Sequence, residues 1–177
     1  MQQLLNQNKI DLYYISDQMS IEYLSGFKGT FGVMIISPTT SYLFTDERYL
    51  LEAQKSVLPH IQVLSISSPF YDELLNQAKS ALFEGRTLSY QRFQKLQSKF
   101  PDIQWKDADN QEEIRYFRQF KQENEIQKIR QGLQIAEKAV NEVIFSLKLG
   151  QTELETVWQL EQSIRAQGSE ALAFWPI

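Results

Sequence analysis

The chain has 177 residues, 42% of them hydrophobic and 12% aromatic, which supplies a packed core and excludes a disordered polypeptide. A formal net charge of −4 has the wrong sign for binding nucleic acid through its phosphates, and the lack of cysteine excludes disulfides, thiolate metal sites and a cysteine nucleophile. The N-terminal MQQLLNQNKID has no basic region followed by a long apolar run, and no apolar stretch nears the roughly 20 residues that cross a bilayer, so a cytoplasmic protein is expected, with neither membrane nor nucleic acid as partner.

Residues 1 to 8 read as a short helix with Leu4 and Leu5 inward, and Asp11 to Ile15 as a strand. Ser16 to Leu24 suits a short helix capped by Ser16 or Asp17, with Met19, Tyr23 and Leu24 on its buried side. Gly26-Phe27-Lys28-Gly29-Thr30 follows as a flexible loop with one large aromatic. Phe31, Val33 and Ile35 then alternate with Gly32, Met34 and Ile36. Both faces are therefore apolar or small, the pattern of a strand covered on both sides. Pro38 to Ser41 supplies a turn, and Tyr42 to Thr45 is the second arm of a hairpin. Asp46 stands at a helix N-cap with Glu47 in the first turn, and the helix to Val57 carries Tyr49, Leu50, Ala53 and Val57 on one stripe before Pro59 closes it.

Ile61 to Ile66 is the next strand. Ser68 caps a helix with Pro69 in its first position, running to about Lys79. Ala81 to Glu84 is a short strand ended by Gly85, and Ser89 to Phe100 is a helix with Phe93, Leu96 and Phe100 inward. Pro101 stops it, and Ile103 to Trp105 is a last strand. Strands alternating with helices at these lengths give a layered α/β domain over residues 1 to 110. The polar Asp107-Ala108-Asp109-Asn110 marks its boundary, and residues 111 to 121 read as a linker.

From residue 122 to 177 the pattern changes. Ile126, Ile129, Leu133, Ala136, Val140, Val143 and Leu147 recur at alternating intervals of three and four, a heptad-type seam on one long helix that Gly150 ends. Thr152 with Glu155 is a capping box, so a second helix starts there, with Leu154, Val157, Trp158 and Ile164 as its apolar residues. Gly168 ends it, and Ala171 to Ile177 reads as a strand. The seam is expected to pack on its own domain, or else to form a coiled-coil dimer. If its partner surface is absent, self-association or packing against the first domain would cover it.

YLSGF, then an apolar strand, then TDERY resembles the N-terminal domain of the creatinase/prolidase family, which includes the Xaa-Pro aminopeptidases and Xaa-Pro dipeptidases. Arg118 to Lys121 with Glu125 to Arg130, GQTELE and the closing GSEALAFWPI resemble the entrance to that family's catalytic domain. The resemblance implies a ribonuclease H-like layered α/β fold with a mixed sheet, followed by the helical start of a pita-bread domain. It implies a parent enzyme that hydrolyses the bond between an N-terminal residue and proline in a peptide, using two divalent metal ions (Mn, Co or Zn), and that forms a homodimer. The family's ligands, Asp, Asp, His, Glu and Glu, would follow Ile177, so neither catalytic nor metal-binding residues are expected in this chain, which would be inactive alone. A stand-alone binding module and a creatinase-type amidinohydrolase are the alternatives.

In dimeric members of that family, loops of this domain reach the partner's active site. Gly26, Phe27, Lys28, Gly29 and Thr30 are therefore the substrate-capping candidates, with Phe27 exposed; the plain alternative is a Phe27 folded back onto its own domain. Asp46, Arg48 and Tyr49 read as structural, a helix start with a local ion pair. Asp46 with Asp11 and Glu84 would be needed for two-metal nuclease chemistry, which the cap role of Asp46 argues against. His60, the only histidine, reads as a surface turn residue without the partners a zinc site needs.

Overall fold

Two adjacent strands buried at every position fix the centre of the sheet. They are β1 (Leu12–Ile15) and β2 (Val33–Ile36) in the computed structural model, which describes residues 1–174. With β3 (Ser41–Thr45), β4 (Ile61–Ser65), β5 (Ser80–Phe83) and β6 (Gln104–Asp107) they form one six-stranded sheet in the order β4-β3-β2-β1-β5-β6. β2 is antiparallel to both neighbours, and the other pairings are parallel. Five strands therefore end at one carboxyl edge, and β2 begins there.

Side chains alternate across the sheet, as the pleat requires. Tyr13, Ile15, Met34, Ile36, Leu43 and Leu82 face a cluster shared with α1 (Gln2–Asn8), α2 (Gln18–Ser25), α3 (Glu47–Ser56) and α6 (Ile114–Gln119). Leu12, Tyr14, Val33, Ile35, Phe44 and Phe83 face the opposite cluster, with α4 (Pro69–Gln77) and α5 (Tyr90–Lys99). The N-caps expected at Asp17, Asp46 and Ser68 form, and Ser89, read as the first residue of its helix, is a cap too; each accepts a hydrogen bond from a first-turn N–H.

On α2, Tyr23 and Leu24 pack against the core as expected, but Met19 does not. Met19 is 61% exposed and Ile21 is fully buried. The two side chains lie about 200° apart on a helix, so only one can face the sheet. Ile21 does, together with Ser25, whose hydroxyl accepts from Phe27 N–H.

The first compact unit spans Met1–Gln119. Residues 111 to 119, expected as linker, belong to it: Glu112, Glu113 and Ile114 are buried, and Ile114 joins the core. A short polar loop hides an apolar anchor immediately behind it, and that anchor decides the attachment.

The second unit, Phe120–Ile177, is built on α7 (Glu123–Ser146) and α8 (Glu153–Ala166). The capping box at Thr152 forms, with Glu155 accepting from Thr152 N–H at 2.8 Å. α7 stops at Ser146, four residues before Gly150. Gly150, at φ +85°, instead sits in a turn closed by Gln151 N–H donating to Lys148 O at 3.1 Å. Ala139 and Val143 are the buried positions of α7. The Ser163 hydroxyl of α8 and Nε2 of Gln167, its C-cap, both donate to Glu142 of α7. The anticipated seam is not the covered face: Ile129, Leu133, Val140 and Leu147 are between 43% and 59% exposed. No strand forms over residues 171–174, where no neighbouring strand offers a ladder, and 175–177 lie outside the described residues.

Candidate functional site

The two sequence motifs meet in one assembly at the carboxyl edge. α2 ends at Gly26, whose φ of +80° is the left-handed turn that glycine permits. Ser25 Oγ donates to Ile21 O at 2.6 Å and accepts from Phe27 N–H at 3.1 Å, so the chain turns inward at once. Phe27 is only 2% exposed. It therefore plugs its own domain, as the plain alternative had it, and is not the exposed aromatic of the capping reading. Its ring meets Tyr49 edge to face at a centroid distance of 6.0 Å.

Gly29 has to be small for the same reason. A Cβ there would lie 2.1 Å from Phe27 Cζ. The loop folds over its own aromatic ring and is tied down by Thr30 Oγ1, which shares a hydrogen bond of 2.8 Å with Tyr49 Oη. Asp46 holds the next piece. It accepts from Arg48 N–H at 3.0 Å, Nε at 3.1 Å and Nη2 at 2.7 Å. The guanidinium beside it holds the Asp46 carboxyl below its ordinary value, and the same pairing raises Arg48. Arg48 also lies over the Tyr49 ring, 5.2 Å from its centroid. Asp46, Arg48, Tyr49, Thr30 and Phe27 thus form one clasp. Lys28 and Thr30 stay exposed on its outer side.

This clasp holds a surface in place and carries no reaction by itself. The Thr30 hydroxyl is engaged by Tyr49, and the Asp46 carboxylate by Arg48. The three carboxylates of the nuclease reading do not converge. Asp11 precedes β1 at the amino edge, where it accepts from Lys79 N–H at 2.8 Å and Ser80 N–H at 3.0 Å. Asp46 and Glu84 follow β3 and β5 at the carboxyl edge. His60 is exposed in the turn before β4.

A second polar cluster, which the sequence reading passed over, fastens α6 to the sheet. Glu84 is 5% exposed, and its Oε1 accepts from Ile114 N–H at 2.7 Å. The Tyr13 hydroxyl lies 3.0 Å from that oxygen and 3.1 Å from Glu112 O. Burial pushes the Glu84 carboxyl above its ordinary value, against the pull of those two hydrogen bonds. Glu112 accepts from Lys106 and Asn8, and Glu113 is held between Arg86 and Arg115. The available signal was an acid closing an otherwise buried strand, with two more acids just ahead of the apolar Ile114.

Among the described residues, no group of three or more His, Asp or Glu side chains is placed to hold a metal ion. No described helix is long and apolar enough to cross a membrane.

The creatinase/prolidase N-terminal domain family matches residues 1–120 of this chain. An uncharacterised peptidase of Staphylococcus aureus is 27% identical over 179 aligned residues, covering 96% of this chain and 50% of the relative. The X-Pro aminopeptidase of Thermotoga maritima is similar in structure, with a TM-score of 0.83 and 30% identity over 94% of this chain and 49% of that one. The prolidase of Pyrococcus horikoshii has a TM-score of 0.82 and 26% identity over 96% of this chain and 48% of its own. The chain spans about half the length of the curated relatives it matches.

Proposed function

The chain belongs to the creatinase/prolidase N-terminal domain family, and from that premise we propose that it is the non-catalytic N-terminal portion of a proline-specific metallopeptidase. The whole enzyme would remove the residue that precedes proline at a peptide's N-terminus. The observation that carries this reading is the likeness to the X-Pro aminopeptidase of Thermotoga maritima, which extends over 94% of this chain, past the family match to residue 120.

A dinuclear site does not fit the described residues: they offer one histidine and no group of three or more acids placed for a metal, and the neighbouring Glu84, Glu112 and Glu113 are engaged by Ile114 N–H, Lys106, Arg86 and Arg115. The two divalent ions (Mn, Co or Zn) of such an enzyme would be held by residues other than these. What this chain contributes is shape. The 26–30 loop, clasped by Tyr49, offers the exposed Lys28 and Thr30 as a fixed rim for a substrate mouth, with Phe27 as its internal anchor. The uncovered Ile129, Leu133 and Val140 would be covered by the rest of such an enzyme or, in this chain alone, by a second copy. The cysteine-free composition suits a reducing, cytoplasmic setting.

Hydrolysis of an Ala-Pro dipeptide and an Ala-Pro-Ala tripeptide with Mn²⁺ tests the reading. It is measured for the 177-residue chain and for this chain fused to the second half of the Thermotoga maritima enzyme. Turnover by the fusion alone is expected. Turnover by the chain alone contradicts the proposal, as does a folded fusion with none.

A further inference from the structure

A recess of about 450 Å³ opens at the carboxyl edge on the α4–α5 face of the sheet, the face opposite the Phe27 plug. In open α/β sheets the crevice outside the strand carboxyl ends is where ligands sit. The apolar wall here is Phe31 and Val33, beside the Tyr14 ring. Tyr14 is 5% exposed, and its hydroxyl accepts from Tyr71 Oη at 3.4 Å. Among the described residues nothing accepts the proton of Tyr14 itself. The Tyr14 oxygen is already paired with Tyr71, and an anion in the recess would accept its proton.

Arg92 lines the same recess from α5 and, among the described residues, makes no side-chain hydrogen bond or ion pair. Its charge reaches both phenols, opposing the upward push of burial on each. The one acid on the rim, Asp72, is already paired with Lys99 at 2.6 Å. The start of α4 adds little: Pro69 has no N–H, and the Phe70 N–H is used by Ser68 Oγ.

We propose that this recess binds a small organic anion, a carboxylate or phosphate monoester bearing an aryl or short alkyl group. Its charged head would sit against Arg92 and the Tyr14 hydroxyl, and its apolar part on Phe31 and Val33. The site is independent of the peptidase reading and stands or falls apart from it.

Nuclear magnetic resonance titration of the 177-residue chain with benzoate, phenyl phosphate, inorganic phosphate and benzyl alcohol tests it. Saturable shifts at Tyr14, Ser67 and Arg92 are expected with benzoate or phenyl phosphate, and whichever saturates first identifies the head group. Inorganic phosphate should bind at least about tenfold more weakly, and benzyl alcohol should not saturate. Arg92→Gln and Tyr14→Phe should each weaken binding about tenfold with an unchanged circular dichroism spectrum. Arg92 lies on the exposed side of α5, so its replacement leaves the core intact. Absence of saturation up to roughly 10 mM, inorganic phosphate binding as tightly as the aryl anions, or full affinity in Arg92→Gln overturns the proposal.

Discussion

At the scale of single residues, Phe27 and Glu84 carry more than their positions suggest. Phe27 fills the space beneath its own loop, so Phe27→Ala should cost about 3–5 kcal/mol in chemical denaturation. Gly29→Ala puts a methyl group into the ring and should cost about 1–3 kcal/mol, while Lys28→Ala, on the exposed side, should be nearly neutral. Equal effects at Lys28 and Gly29 would remove the plug as the reason for the glycine. Glu84 makes a prediction in pH. Its folded pKa lies above the ordinary 4.5, so its protonated form favours the fold. That contribution is complete below about pH 4.5 and is lost as pH rises through the folded value. Glu84→Gln keeps an oxygen for Ile114 N–H and removes the ionisation. The variant's stability should therefore fall less than that of the parent between pH 4.5 and 7. Parallel stability curves would show that Glu84 does not titrate differently on folding.

At the scale of elements, the attachment of α6 is the feature most open to test. Ile114 fills the core beside α1 and α2, and Glu84 caps its N–H. A chain cut after Asn110 should lose about 2–5 kcal/mol relative to one cut after Gln119. Equal melting would return residues 111–119 to the status of a tether. Much of this architecture was legible locally. Asp46 before Glu47, Ser68 before Pro69 and Thr152 before Glu155 each announce a helix start through a hydrogen bond that spans three residues or fewer. What stayed illegible depends on distant partners. Nothing near Phe27 says that Tyr49 will close over it, and nothing near Glu112 says that Tyr13 will meet its carbonyl. The helix of residues 123–146 misled for another reason. It carries two apolar faces, and counting threes and fours joined Val140 to Val143 although only the face with Ala139 and Val143 is buried.

At the scale of the whole molecule, the second unit has an unsatisfied surface. Ile129, Leu133 and Val140 on α7, Leu147 just after it, and Leu154 and Trp158 on α8 are each at least 43% exposed. Light scattering should give a mass above the 20.7 kDa of one chain, and Leu133→Glu with Ile129→Glu should return it toward that value. A monomer at all concentrations would mean that this surface serves something other than a second copy. The layered α/β sheet was legible because its strands and helices alternate along the chain. The division of labour between this chain and a metal-binding half is instead a proposal built on family membership. Its core is that the residues of this chain position a site whose ions are held elsewhere. Isothermal titration of the purified 177-residue chain with Mn²⁺ tests that core most directly. The account predicts no stoichiometric binding, whereas two ions held per chain, lost on replacing side chains among the described residues, would contradict it.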